Sequence, residues 1–198
     1  MKSLLACLAA CCLLAAAPLA LAAEFTADMT QTQENGPSMT GKVAVKDAKM
    51  RMEAAVEGQS HVSIMNPETK TVIMLMPAMK SYMEVRFDVT KAGPGAVLLS
   101  KPDPAVGQWK VVGTETVDGW ECEKRVMDFA DKSKGELTAW FAVKLDAPVK
   151  FVQSGPGGNF TVAYTNIKAG PVDEALFAVP PGYQQMQMPA MPKSGMGQ

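Results

Sequence analysis

Apolar and polar positions alternate most clearly in residues 49–87, KMRMEAAVEGQSHVSIMNPETKTVIMLMPAMKSYMEVRF. Met50, Met52, Ala54 and Val56 fall on one side of an extended chain, and Lys49, Arg51, Glu53 and Glu57 on the other. A period of two predicts a half-buried strand. Gly58 and the run Asn66-Pro67-Glu68-Thr69 supply turn chemistry, so the stretch predicts four antiparallel strands. Residues 70–76 differ. Thr71, Ile73 and Leu75 alternate with Val72, Met74 and Met76, and both faces are mostly apolar. Such a strand is covered on both sides, or covered on one and lined with ligand on the other.

The same reading extends along the chain. Residues 25–33 predict a first strand, Asn35-Gly36-Pro37 a turn and residues 39–46 a second strand, with Asp47-Ala48 a short connection. Up to six consecutive strands imply a meander or curved sheet. The pattern stops after Phe87. Residues 88–107 carry Gly93, Pro94, Gly95, Pro102, Pro104 and Gly107, with a short helix possible over 96–100. A segment of this length either lids the sheet or tucks one apolar patch into the core. Strands resume over 108–117 and 120–129, flanking Asp118-Gly119, the strongest hairpin signal in the chain. Residues 137–144 are again apolar on both faces, 146–148 turn into a strand over 149–153, and 155–158 turn into the last strand, 159–168. Residues 173–177 read as one capped helical turn, and Val179-Pro180-Pro181-Gly182-Tyr183 closes the domain.

Three segments follow. Residues 1–22 have a basic Lys2, an apolar run, Pro18 and the small-x-small pattern Ala20-Leu21-Ala22, the marks of a secretory signal. Leu8-Ala9-Ala10-Cys11 matches a lipoprotein cleavage box, but the apolar stretch before it is unusually short, which disfavours anchoring at Cys11. Residues 23–183 form one domain, and 184–198, rich in Gln, Met and Pro without periodicity, form a disordered tail. With the leader removed, Cys122 is the one remaining cysteine, so stability rests on the core and not on a disulfide. No second apolar run is long enough to span a membrane, and 19 Lys and Arg against 20 Asp and Glu leave no basic stripe for nucleic acid.

Candidate chemistry is sparse. His61, the only histidine, sits beside Val62 with no nucleophile motif nearby. Glu53, Glu84, Glu115 and Asp118 have no spacing that suits acid–base work. No phosphate loop, nucleotide fingerprint or metal-ligand set is present, so neither an enzyme nor a cofactor is expected. Cys122 reads as a small buried residue whose acidic neighbours Glu121 and Glu123 would raise its pKa. The unusual count is 15 methionines. Met50, Met52, Met65, Met74, Met76, Met79 and Met83 lie in the central stretch, and thioethers suit either irregular core filling or a groove for varied apolar ligands. Met74-Leu75-Met76-Pro77-Ala78-Met79 also returns as Met186-Gln187-Met188-Pro189-Ala190-Met191. Clustered thioethers, with His61 and Cys122, would suit Cu(I) or Ag(I).

Taken in order, KMRME, a Met-rich turn and Tyr82, GTETVDGWECEKRV, LTAWFAV, APVKF and DEALFAVPPGY resemble the periplasmic LolA-like superfamily. Within it they resemble a bacterial family known only as a domain of unknown function. The likeness covers roughly residues 25–183. It implies a mainly β (α+β) fold: a strongly curved antiparallel sheet forming an incomplete barrel, with a few short helices on the concave side. In better-known relatives the hollow holds acyl chains of lipoproteins or lipids. This chain departs in its Gly/Pro-rich, helix-poor stretch between Phe87 and Gln108, which bears on the size of any cavity. The expectation is an exported, periplasmic, non-catalytic binding protein for a lipid or an acylated protein. Its groove would be lined by Met50, Met52, Ile73, Leu75, Met83, Trp140 and Phe141. Sequence alone does not fix which face of each strand is concave, so that choice carries a one-residue ambiguity. The alternatives are a soft-metal binder using the Met motifs and an envelope protein acting through its surface with a filled core.

Overall fold

The computed structural model describes residues 23–34, 36–56, 59–88, 97–98, 103–155 and 158–186. The expected leader, the turn at 156–157 and residues 187–198 of the expected tail lie outside them. The described chain forms β1 (Phe25–Gln33), β2 (Met39–Lys46), β3 (Lys49–Val56), β4 (Gln59–Asn66), β5 (Thr71–Met76) and β6 (Ser81–Arg86). There follow β7 (Gly107–Val117), β8 (Trp120–Phe129), β9 (Glu136–Ala142), β10 (Ala147–Gly155), β11 (Gly158–Ala169) and β12 (Gln184–Gln185). All twelve belong to one curved, unclosed sheet in the order β12-β6-β5-β4-β3-β2-β1-β11-β10-β9-β8-β7. Neighbours are antiparallel, apart from the short parallel pair of β12 with β6. The sheet thus reaches two residues into the stretch that composition assigns to a tail.

Local chemistry makes the hairpins. Asp47-Ala48 and Asp118-Gly119 place both turn residues at positive φ (48° and 64°, 48° and 79°), the twist that two-residue hairpins need. Between β4 and β5, the Asn66 side chain accepts from the Glu68 N–H at 3.0 Å, an Asx turn. A 3-10 turn over Pro77–Met79 joins β5 to β6. Asp131 caps another, Lys132–Lys134, by accepting from the Ser133 N–H. The capped turn expected at 173–177 is present as Glu174–Phe177, where Asp173 accepts from the Ala175 N–H at 2.9 Å.

Register then sorts the side chains into two faces. Phe25, Ala27 and Met29 of β1 stand opposite Val45, Val43 and Gly41 of β2. These continue to Met50, Met52 and Ala54 of β3 and, on the other side, to Tyr164 and Val162 of β11 and Phe151 of β10. Most of this face is buried, and with Leu137, Ala139, Met127, Phe129 and Phe141 it forms the main core; it is the inner face. Val97, Leu98 and Val106 of the connection between β6 and β7 are buried in the same core, and the first two are helical. The described part of that connection thus places apolar side chains inside; residues 89–96 and 99–102, and with them the lid reading, lie outside the described residues.

A strap of chain covers the outer face at the β3–β6 end. Val62, Ile64 and Leu75 form a second cluster, against which Ile73, Tyr82, Phe177, Val179 and Tyr183 pack. The chain after β11 thus crosses the back of β3–β6 as a strap. Lys49 pairs with Glu174 and lies over the Phe177 ring, Arg51 donates to the Leu176 carbonyl at 3.2 Å, and Lys46 donates to the Val172 carbonyl at 3.0 Å.

Candidate functional site

The inner face of β3–β6 is where the sheet leaves apolar surface uncovered by described residues. Register carries the row from Met52 through Ser63 of β4 and Met74 of β5 to Met83 of β6. A second row holds Ala54 and His61 and, one step past the Val62–Leu75 pair, Met76. The residues named on β4–β6 are half-buried or exposed, with His61 among the exposed, and the second row ends at the buried Ser81 opposite Met76. Together with Met29 and Met39 they wall a cleft of 350 Å³, near the lower end of the roughly 300–1,000 Å³ of small-molecule sites. Among the described residues, no carboxylate or ammonium group is in its lining. A larger hollow of 530 Å³ lies on the outer face. Its walls mix Asp28, Glu53, Lys42, Arg51 and Lys168, so it offers polar surface with no single sign of charge.

The seven residues expected from the sequence divide between the two faces. Met52 and Met83 line the cleft. Met50 shares their face but is buried in the main core. Ile73 and Leu75 have the opposite parity and belong to the outer cluster beneath the strap; Leu75 also borders the cleft. The inner residues of β5 are instead Val72, Met74 and Met76. Trp140 and Phe141, adjacent on β9, necessarily face opposite ways. Phe141 is inside, edge-on to Trp109 with ring centres 5.4 Å apart and covered by the Arg125 guanidinium at 4.2 Å. Arg125 is in turn held by Glu123 at 2.7 Å. Trp140 is outside, flanked by Lys124 and Lys150 at 5.1 and 4.6 Å, and its indole N–H donates to Glu115 at 2.8 Å. The hydrogen bond from Lys124, then that from Trp140, holds the Glu115 carboxyl below its usual range. Neither aromatic reaches the cleft.

Cleft residues that the sequence reading misses are Met29, Met39, Met74, Met76, His61 and Ser63. The Met50/Met52 parity, carried from strand to strand through the hairpins, is the signal that could find most of them. Cys122 is buried, donates weakly to the Trp120 carbonyl at 3.3 Å and stands on the outer face opposite Glu115. Burial raises the pKa of its thiol, and the charge of Glu115 adds to the effect; the expected acidic influence thus comes from across the strand. A thiol of this kind is not a nucleophile.

Comparison with known proteins fits this architecture. The profile of the family described as "Domain of unknown function (DUF4412)" matches residues 25–147. No curated protein matches the sequence. Among solved structures, an uncharacterised conserved protein from Thermus thermophilus shares the fold, with a TM-score of 0.57 and 13% identity over 84% of this chain and 91% of that one. A LolA superfamily protein from Nitrosomonas europaea is similar at a TM-score of 0.41, with 9% identity over 79% of this chain and 90% of its own. A DUF1329 family protein from Desulfovibrio piger is similar at 0.42, with 10% identity over 81% and 91%. The expectation of a family known only as a domain of unknown function is met by the match over residues 25–147.

Proposed function

This chain belongs to the DUF4412 family, and from that premise we propose that it is an exported, non-catalytic protein that holds a hydrocarbon chain, of a lipid or of an acylated protein, in its methionine cleft. Export rests on the leader pattern of residues 1–22. The observation that carries the rest is the cleft itself: among the described residues, six thioethers in its walls, no charged lining residue, and half-buried side chains awaiting cover. Each methylene moved from water into such a site is worth about 0.8 kcal/mol. Unbranched methionines re-pose around guests of different shape. His61 and Ser63, in the same lining, give the guest's polar end a place to meet water or a hydrogen bond.

The test is native mass spectrometry of protein purified without detergent, followed by titration with a fluorescent long-chain fatty acid. A bound lipid or fatty acid is expected at one per chain. Met74→Glu combined with Met83→Glu puts charge where the guest would lie. This should weaken fatty-acid binding by about tenfold or more, the equivalent of about 1.4 kcal/mol, with the fold intact by circular dichroism. Absence of both co-purified lipid and fatty-acid binding, or undiminished binding by the double variant, refutes the reading.

A further inference from the structure

We propose that the inner face of β4–β6 also carries a soft-metal site, taking Cu(I) or Ag(I) on the thioethers of Met74, Met76 and Met83 and the imidazole of His61. This goes beyond the hydrocarbon reading, although the two occupants share the cleft. Met74 and Met83 are directly opposed across the β5/β6 ladder, where Cβ atoms stand about 4.5–5.5 Å apart. Met76 lies two residues along from Met74 on the same face. His61 lies one step past the Val62–Leu75 pair, across from Met76. All four line the cleft. Two long, flexible side chains facing each other at that spacing can close on one ion, and the third thioether and the imidazole occupy the adjoining row of the same face.

The donor set selects the ion. Three neutral sulfurs and one nitrogen match soft monovalent cations. Calcium and magnesium require oxygen ligands, and the described lining has no carboxylate. Zinc sites are built from Cys, His and carboxylates, and among the described residues no group of three or more His, Cys, Asp or Glu is gathered for one. A thioether needs no deprotonation, so the ion adds a single charge to an apolar wall, and the polarizable sulfurs spread it. The structure also separates this site from the looser candidates in the sequence. Met79, the third methionine of the repeated motif, is 63% exposed on the turn after β5, and Cys122 is buried on the outer face of the other arm.

The experiment is an anaerobic titration of the purified, lipid-free chain with Cu(I) against a chromophoric Cu(I) chelator. The expected result is one Cu(I) withheld per chain, with X-ray absorption showing sulfur neighbours and one light-atom neighbour. Met74→Leu with Met83→Leu keeps the cleft apolar and nearly the same volume. It should lower Cu(I) affinity by at least about 100-fold, since even residues that only support a ligand are worth about 10–100-fold. Met79→Leu and Cys122→Ser should leave Cu(I) affinity unchanged. Transfer of all the copper to the chelator, or full retention by the leucine double variant, overturns the site. Fatty-acid binding, which the leucine substitutions leave in place, reads the hydrocarbon proposal separately, so one can fail without the other.

Discussion

The arm formed by β7–β11 and the arm formed by β3–β6 are both antiparallel meanders, but only the first fills its inner face. In the first, Leu137, Ala139, Phe129, Phe141 and Phe151 fill the inside. Its outer surface carries ion pairs such as Lys110–Asp128 and Lys124–Glu115. In the second, the strap of Phe177, Val179 and Tyr183 hides the outside, and the inside is left to half-buried methionines. Residue type follows this division. Branched and aromatic side chains, with few rotamers, specify an interior that the chain fills by itself. Unbranched thioethers line the part that it does not. A strand apolar on both faces therefore carries two different messages in the two arms: β9 sits within the main core, whereas β5 has a strap on one side and a cleft on the other.

Stability measurements can break this contrast most directly. Leu137 is 0% exposed on the filled side, and Leu137→Ala should cost about 2–5 kcal/mol in urea unfolding, transfer and cavity terms together. Met74→Ala, in the cleft, should cost less than about 1 kcal/mol because its thioether already borders open space. Equal losses would show that the cleft wall is as tightly packed as the core. A smaller effect than that of Leu137 is expected on the strap. Phe177 is only half-buried, so Phe177→Ala should cost about 1–2 kcal/mol, below the range for a fully buried ring. It should also speed amide exchange in β5 and β6 while leaving β8 and β9 protected. Uniform acceleration across the sheet would mean that the two arms unfold as one unit.

The smallest effect sharpens the comparison on the charged outer face of the filled arm. Hydrogen bonds from Lys110 and then Lys132 lower the Asp128 carboxyl from 3.8 to about 2. A carboxylate with a depressed folded-state pKa stabilises above its unfolded value and loses that contribution as pH falls through the folded value. The contribution of Asp128 should therefore hold above about pH 4 and fade towards pH 2. Both partners are well exposed, so the amount is small. Carboxyl NMR shifts should place the midpoint near 2; a midpoint at 3.8 would show that Lys110 and Lys132 do not engage it in solution.

Strands, two-residue turns and the cap at Asp173 are legible because each is written in adjacent residues: alternation in KMRME, Asp118-Gly119, and an Asx residue ahead of Glu174. The two-sided apolar character of residues 70–76 is legible too. What covers each side is not, because the answer lies more than ninety residues away, in Phe177, Val179 and Tyr183. That is why alternation alone puts Ile73 and Leu75 in the groove: with both parities apolar, β5 by itself holds no clue to which is inside. Size and hydrophobicity bring Trp140 and Phe141 into the expected lining, yet neighbours on one strand cannot share a face. Met52 and Met83 are recoverable because the charged residues beside them, Arg51 and Glu53 or Glu84 and Arg86, mark the other side.

The seam between β1 and β11 has a consequence for how this chain comes into being. Hairpins within each arm join neighbours and can zip in about 1–10 μs. The seam pairs Phe25 with Ala169 and Met29 with Tyr164, and it cannot form until nearly the whole domain is present. At about 5–20 residues per second, synthesis delivers β11 several seconds after β1. Through that interval Phe25, Ala27 and Met29 lack the neighbour that buries them, and β1 shows a bare edge of peptide groups, the kind that templates mispairing. A nascent chain of this topology stays pliable until its last long strand arrives, however quickly its hairpins close.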